Sequence, residues 1–188
     1  ILFYDAVNQP KAQSLVQKLS QMNSDINYEA IQQRVGPDDE SLFTDYDLVI
    51  DTVDNNKTRA LINYFTQKHG IPFISGGTSH ESGQVVTSVP GKTGCLDCQV
   101  DIDSIALAQH NPTSCIYAPE PSVITSNAAI GGLMVAELRH IDQPVLGIIK
   151  YGSREAYRLG LLPSAGPCHH DDWDGWMERM AHLYEVGP

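Results

Sequence analysis

The chain has 188 residues, 41% of them hydrophobic and 19% charged, with 23 Asp and Glu against 12 Lys and Arg for a formal charge of −11. That size and composition suit roughly one globular domain of about 100–200 residues and exclude a disordered tract, a fibre or a repeat array. The acidic balance leaves no basic stripe to release counterions from a phosphate backbone or to bind an anionic bilayer, so neither nucleic acid nor membrane is an expected partner. No apolar run approaches the roughly 18 residues of a membrane span, and the opening ILFYDAV lacks the basic start and small-residue cleavage site of a signal peptide, which predicts a cytoplasmic protein.

Ala12, Leu15, Val16, Leu19 and Met22 recur at helical spacing behind Pro10, so about 10–22 is expected to form an amphipathic helix ending near Asn23. INYEAIQQRV, residues 26–35, is β-compatible, and Gly36, Pro37, Asp38 and Asp39 mark a loop after it. DLVID at 47–51 has the short apolar run of a buried parallel strand. Asp54, Asn55 and Asn56 form an N-cap cluster for a helix carrying Ala60, Leu61, Tyr64 and Phe65 on one face and stopping before Gly70, and IPFIS at 71–75 is the next strand. This order predicts right-handed βαβ winding in an incomplete doubly wound sheet. Such sheets usually open on a strand and a glycine-rich turn, and this chain opens on neither; Gly76-Gly77 and Gly131-Gly132 lack phosphate-loop spacing. Beyond Gly83, QVVTSV alternates as a strand, Pro90 to Cys98 forms a knuckle, and about 103–110 is expected to be a short polar helix. The stretch 121–140, rich in Ala128, Ala129, Gly131, Gly132 and Ala136, predicts a long buried helix packed closely in the core, with GIIKYG and REAYRLGLL as an antiparallel pair after it.

Four features carry chemistry. Asp51 to Asn55 stands at the C-terminal end of a parallel strand, where open α/β sheets place their ligands. A carboxylate there suits Mg²⁺ on a nucleotide phosphate, although Asp54 or Asn55 serves equally well as a plain helix cap. Cys95 and Cys98, with Cys168 far along the chain, have the layout of a closed tetrahedral zinc site; the fourth ligand lies among His170, His169 and Asp171, and a histidine is the commoner choice. Cys115 is either a small buried hydrophobe or an acceptor thiol for an activated carbonyl. Lys11, at the start of the first helix, is either a solvated cation or a phosphate contact.

In this order the features resemble the ubiquitin-activating type of adenylating enzyme, the group of ThiF, MoeB and HesA. The match rests on NQPKAQSLVQKLSQMNSD for the lysine-bearing helix, DLVIDTVDNNKTRALIN for the DxxDNxxxR strand and helix, and IPFISGGTSHESGQVVTSVPGKTGCLDC for two strands and the first CxxC. SCIYAPEPSVITSNAAIGGLMVAELRH and IIKYGSREAYRLGLLPSAGPC complete it, so that 1–171 reads as one adenylation domain and 172–188 as an acidic, Trp-containing tail. The resemblance implies ATP-dependent adenylation of the C-terminal carboxylate of a ubiquitin-like or sulfur-carrier protein, or of a peptide, by a homodimer. It implies that Asp54 holds Mg²⁺ and the triphosphate with Asn55 beside it, that Lys11 contacts phosphate, that Arg59 anchors the Asp54 loop, and that Cys115 occupies the place of a cysteine some relatives use after adenylation.

Two departures from the family pattern stand out. The glycine-rich loop, the ribose-binding acid and an arginine of the family all belong before Ile1, which predicts a fragment of a longer enzyme, and Asp171 stands where a fourth zinc cysteine is expected. The alternative from another class is a non-catalytic supporting subunit of the same fold; a CxxC redox protein ranks below both, because the pair follows a Pro/Gly knuckle and has a distant cysteine companion.

Overall fold

The computed structural model describes residues 7–79, 82–102, 105–106, 123–141, 148–151, 159–162 and 175, and of the strands at 148–151 and 159–162 it gives the backbone. Two compact units divide the chain, Ile1–Val35 and Gly36–Pro188. The first holds helix α1, Lys11–Met22, with Pro10 in the preceding extended position and its fixed φ of −57° leading into the first turn. Ser14 is the one buried residue of α1; Leu15 and Met22, on the expected apolar face, are exposed. Residues 26–35 form no strand: β-compatible composition yields a strand only where a neighbour supplies the ladder, and no ladder reaches them among the described residues.

The second unit is built on a five-stranded sheet in the order β1-β2-β3-β4-β5, comprising Val49–Asp51, Phe73–Ser79, Ser82–Ser88, Ile148–Tyr151 and Leu159–Leu162. β1 and β2 run parallel, joined by helix α2, Asn56–Lys68, and every later pairing is antiparallel. The sheet is thus an α/β crossover continued as an antiparallel meander, matching the expected class. Helix α2 stops where Gly70 takes a φ of +68°, a left-handed turn that glycine adopts without a Cβ penalty.

The pleat sorts the side chains onto two faces. Phe73 and Ser75 of β2, with Val86 and Ser88 of β3, face α2 and the short helix α3, Leu96–Val100. Tyr64, Phe65, Phe73 and Leu61 are fully buried in that layer, and Phe43 stacks on Phe65 with ring centroids 5.2 Å apart. Ile74 and Val85 point the other way and pack on Ile130 and Met134 of helix α4, Ile124–Leu138. At Gly76 an added Cβ would lie 2.2 Å from Met134 Sδ, and at Gly83 it would lie 2.5 Å from Ile130 Cγ1 and 2.8 Å from the Gly77 carbonyl oxygen. The glycines therefore set how closely α4 approaches the sheet. Gly83→Ala is expected to lower stability by about 1–3 kcal/mol, the usual range for overpacking a tight core, as measured by urea denaturation.

The expectation for 121–140 needs a correction. Helix α4 is buried along one stripe, Ser126, Ile130, Met134 and Glu137, while Gly131, Gly132, Ala128 and Ala136 are exposed, as are Ile124 and Val135. Its apolar composition runs all round, but the sheet covers a single face, and the small residues lie off that face. Ile102, Ile105 and Ala106 are helical; the rest of the helix expected at 103–110 lies outside the described residues.

Candidate active site

The turn from β1 into α2 holds a buried ion pair, Asp51 with Arg59. Asn55 occupies the N-cap with extended backbone, and its Oδ1 accepts the Thr58 N–H at 2.8 Å, satisfying one of the donors that a helix start leaves open. Asn55→Ala is expected to cost about 1 kcal/mol of stability, the typical value of such a cap, by thermal unfolding. Asp54, immediately before it, is exposed.

Asp51 has the opposite environment. It pairs in register with Ser75 on the α2 side of the sheet, and its side chain has no exposed surface. The Val53 N–H donates to Asp51 Oδ1 at 2.8 Å and Ser75 Oγ donates to Oδ2 at 2.8 Å, while Arg59 Nη1 stands 3.1 Å from Oδ2. Burial raises the Asp51 pKa above its ordinary value, against the opposing pull of the Arg59 guanidinium, the Val53 amide and the Ser75 hydroxyl.

Arg59, one turn into α2, has a side chain 12% exposed. Besides Asp51, its Nη1 donates to Ser75 Oγ and, at 3.1 Å, to the Gly76 carbonyl, and its Nη2 donates to the Val53 carbonyl. One planar guanidinium therefore joins the end of β1, the loop after it and two residues of β2, a geometry that the fork of donors on arginine allows. Sequence reading placed Arg59 as a loop anchor but had no means to see Asp51 as its buried counterion or Ser75 as the shared partner. The available signal was the alternation of β1: Val49 and Asp51 must share a face, and that face meets α2.

The CxxC pair lies on the same side of the sheet. Cys95 is buried at the N-cap of α3 and Cys98 is exposed, with their sulfurs 3.6 Å apart. That is far beyond the roughly 2.05 Å of a disulfide. The Leu96 N–H, at the start of α3, donates to Asn63 Oδ1 of α2 at 2.9 Å, so α2 holds the knuckle with its middle and the Asp54 loop with its first turn. Thr93 Oγ1 accepts the Val89 N–H at 2.8 Å, and Gln99 Nε2 donates to the Gly94 carbonyl at 2.7 Å, closing the turn before the helix. Among the described residues no group of three or more His, Cys, Asp and Glu is placed to hold a metal. Cys115, Cys168, His169, His170 and Asp171 lie outside the described residues, as does the tail 172–188 apart from Gly175. Lys11, the first residue of α1, is exposed and belongs to the first unit.

Residues 1–147 match the ThiF family. The chain belongs to that family. Within it, the chain is 34% identical over 93 residues to a sulfur carrier protein ThiS adenylyltransferase of Bacillus subtilis, covering 49% of this chain and 28% of that one. It is 25% identical over 188 residues to protein HesA of Leptolyngbya boryana, covering 95% and 65% of the two chains. It is 33% identical over 132 residues to a SAMP-activating enzyme E1 of Haloferax volcanii, covering 70% and 43%. The fold is that of the Escherichia coli MccB crystal structure with ATP, at a TM-score of 0.69 and 19% identity, covering 90% of this chain and 52% of the other. The chain thus spans between about a quarter and two thirds of the length of these relatives. No helix among the described residues is long and apolar enough to cross a membrane.

Proposed function

We propose that this ThiF-family chain belongs to an enzyme that adenylates the C-terminal carboxylate of a ubiquitin-like or sulfur-carrier protein, or of a peptide, at the expense of ATP. In that reaction a carboxylate oxygen attacks the α-phosphorus of ATP, the bond from that phosphorus to the bridging oxygen breaks, and an acyl-adenylate and pyrophosphate leave. The observation carrying the proposal is the position of Asp54: an exposed carboxylate at the C-terminal end of a parallel strand, beside the first turn of a capped helix. Ligands of open α/β sheets gather at that end of the strands.

The oxygen donors there suit Mg²⁺, which usually takes one or two carboxylates together with phosphate oxygens and water. When bound, the ion would neutralise charge on the triphosphate. The chain's own part is positioning: Asp54 holds the phosphate end of the nucleotide, and Asn55 keeps the helix start formed. Most of the rate in such transfers comes from orientation and charge complementarity. The test is ATP–pyrophosphate exchange by the whole gene product that contains this chain, in the presence of a carrier protein ending in glycine; exchange that depends on the carrier supports the reading, and no exchange by that product contradicts it.

A structural zinc at the knuckle is the second part of the proposal. Two sulfurs bound to one tetrahedral zinc at about 2.3 Å stand roughly 3.8 Å apart, close to the 3.6 Å between Cys95 and Cys98. Cys168 and His170 would complete the set. A buried first cysteine also speaks against a redox couple, whose attacking thiolate needs access. Cys115 is proposed as the thiol that takes up the activated acyl group, and the assembly as a homodimer working in the cytoplasm.

A further inference from the structure

We propose that Asp51 and Arg59 are positioning residues that fix the backbone carrying Asp54, an inference that rests on the functional reading above and names the device that makes it work. The loop between β1 and α2 is four residues long, 52–55. Val53 is the residue in it that directly precedes Asp54, and both of its backbone polar groups are taken. Its N–H is held by Asp51 Oδ1 at 2.8 Å and its carbonyl by Arg59 Nη2. The two clamping groups are themselves joined, Arg59 Nη1 to Asp51 Oδ2 at 3.1 Å, and tied to β2 through Ser75 and the Gly76 carbonyl. The peptide before Asp54 is therefore bolted to the sheet from both sides.

A stability role alone does not account for this arrangement. Replacing a buried ion pair by well-packed apolar side chains is often neutral or stabilising, because desolvation offsets the Coulombic gain. Phe73 and Leu61 show that this layer accommodates apolar side chains fully. What an apolar pair would not supply is a donor and an acceptor for Val53. Partners that orient a metal-binding or phosphate-binding carboxylate through such contacts typically change metal affinity by about 10–100-fold when lost.

The test uses Mn²⁺ in place of Mg²⁺, titrated against the full chain with a non-hydrolysable ATP analogue and followed by electron paramagnetic resonance, a readout that needs no turnover. Arg59→Lys keeps the charge but loses the fork, and Asp51→Asn keeps the shape but loses the charge; each is expected to weaken Mn²⁺ binding by about 10–100-fold. Ser75→Ala, which leaves both Val53 bonds in place and removes only one tie of the clamp to β2, is expected to weaken binding by less than either. Parental affinity in Arg59→Lys and Asp51→Asn, or an equal loss in Ser75→Ala, overturns the positioning role while leaving the functional reading standing. A parent that binds no Mn²⁺ with the analogue overturns the functional reading instead. Hydrogen exchange of the parent adds a check that depends on no variant: the Val53 amide is expected to exchange as slowly as the amides of α2, and rapid exchange there contradicts the clamp.

Discussion

Asp54→Ala is expected to lower ATP–pyrophosphate exchange by at least about 100- to 1,000-fold, the range for removing one group aimed at developing charge, with the thermal midpoint of the protein nearly unchanged. The contrast between the two readouts is the point of the experiment. Asp54 is exposed, and the cap of α2 is made by Asn55. Its replacement therefore removes a carboxylate from the strand end without disturbing the layer of Phe65 and Phe73. A large fall in exchange with a large fall in stability would assign Asp54 to the fold; unchanged exchange would remove it from the site. Asp51, three residues earlier, is expected to behave differently. Deleting Arg59 outright, as in Arg59→Met, would leave the Asp51 carboxylate buried without its cation, a change that typically costs about 3–5 kcal/mol, which is why the charge-keeping Arg59→Lys is the informative variant.

Cys98→Ser is expected to release one zinc ion per chain and to lower the melting temperature to that of the chelator-treated parent. The expectation follows from the coupling of metal binding to folding: structural zinc binding is worth about 10–16 kcal/mol in small domains. α3 is five residues long, and its start is held by Asn63 rather than by a cap of its own. Because Asn63 belongs to α2, loosening the knuckle is expected to loosen the helix that also carries Arg59. Cys168→Ser should repeat the loss of zinc. A parent with no zinc by elemental analysis would remove the basis of both predictions.

Much of the secondary structure was legible because each local signal agreed with the others. Pro10, the Asp54-Asn55-Asn56 cluster and Gly70 bracket α1 and α2 within a residue of where they lie, and the apolar runs at 47–51 and 71–75 became β1 and β2. Two features were hidden for physical reasons. Residues 26–35 have strand composition, but strands are made by partners, and composition names no partner. α4 is apolar on every side, so its sequence does not say that Ile130 and Met134, with Leu133 beside them, meet Ile74 and Val85 while Ile124 and Val135 stay exposed. At the candidate site, DxxDN placed both carboxylates at the strand end, yet only the pleat separates buried Asp51 from exposed Asp54. Arg59 and Ser75 are sixteen residues apart, and only the parallel register of β1 on β2 brings them to the same carboxylate.

The most direct test of the central claim is the fate of a carrier protein incubated with this protein, ATP and Mg²⁺, followed by intact-mass measurement of the carrier and assay of pyrophosphate. Adenylation predicts a carrier heavier by one adenylyl group at its C-terminal carboxylate and one pyrophosphate released for each, with neither formed by Asp54→Ala. An unchanged carrier mass and no pyrophosphate, across carriers and peptides with a free C-terminal carboxylate, would contradict it and favour a subunit that supports a catalytic partner.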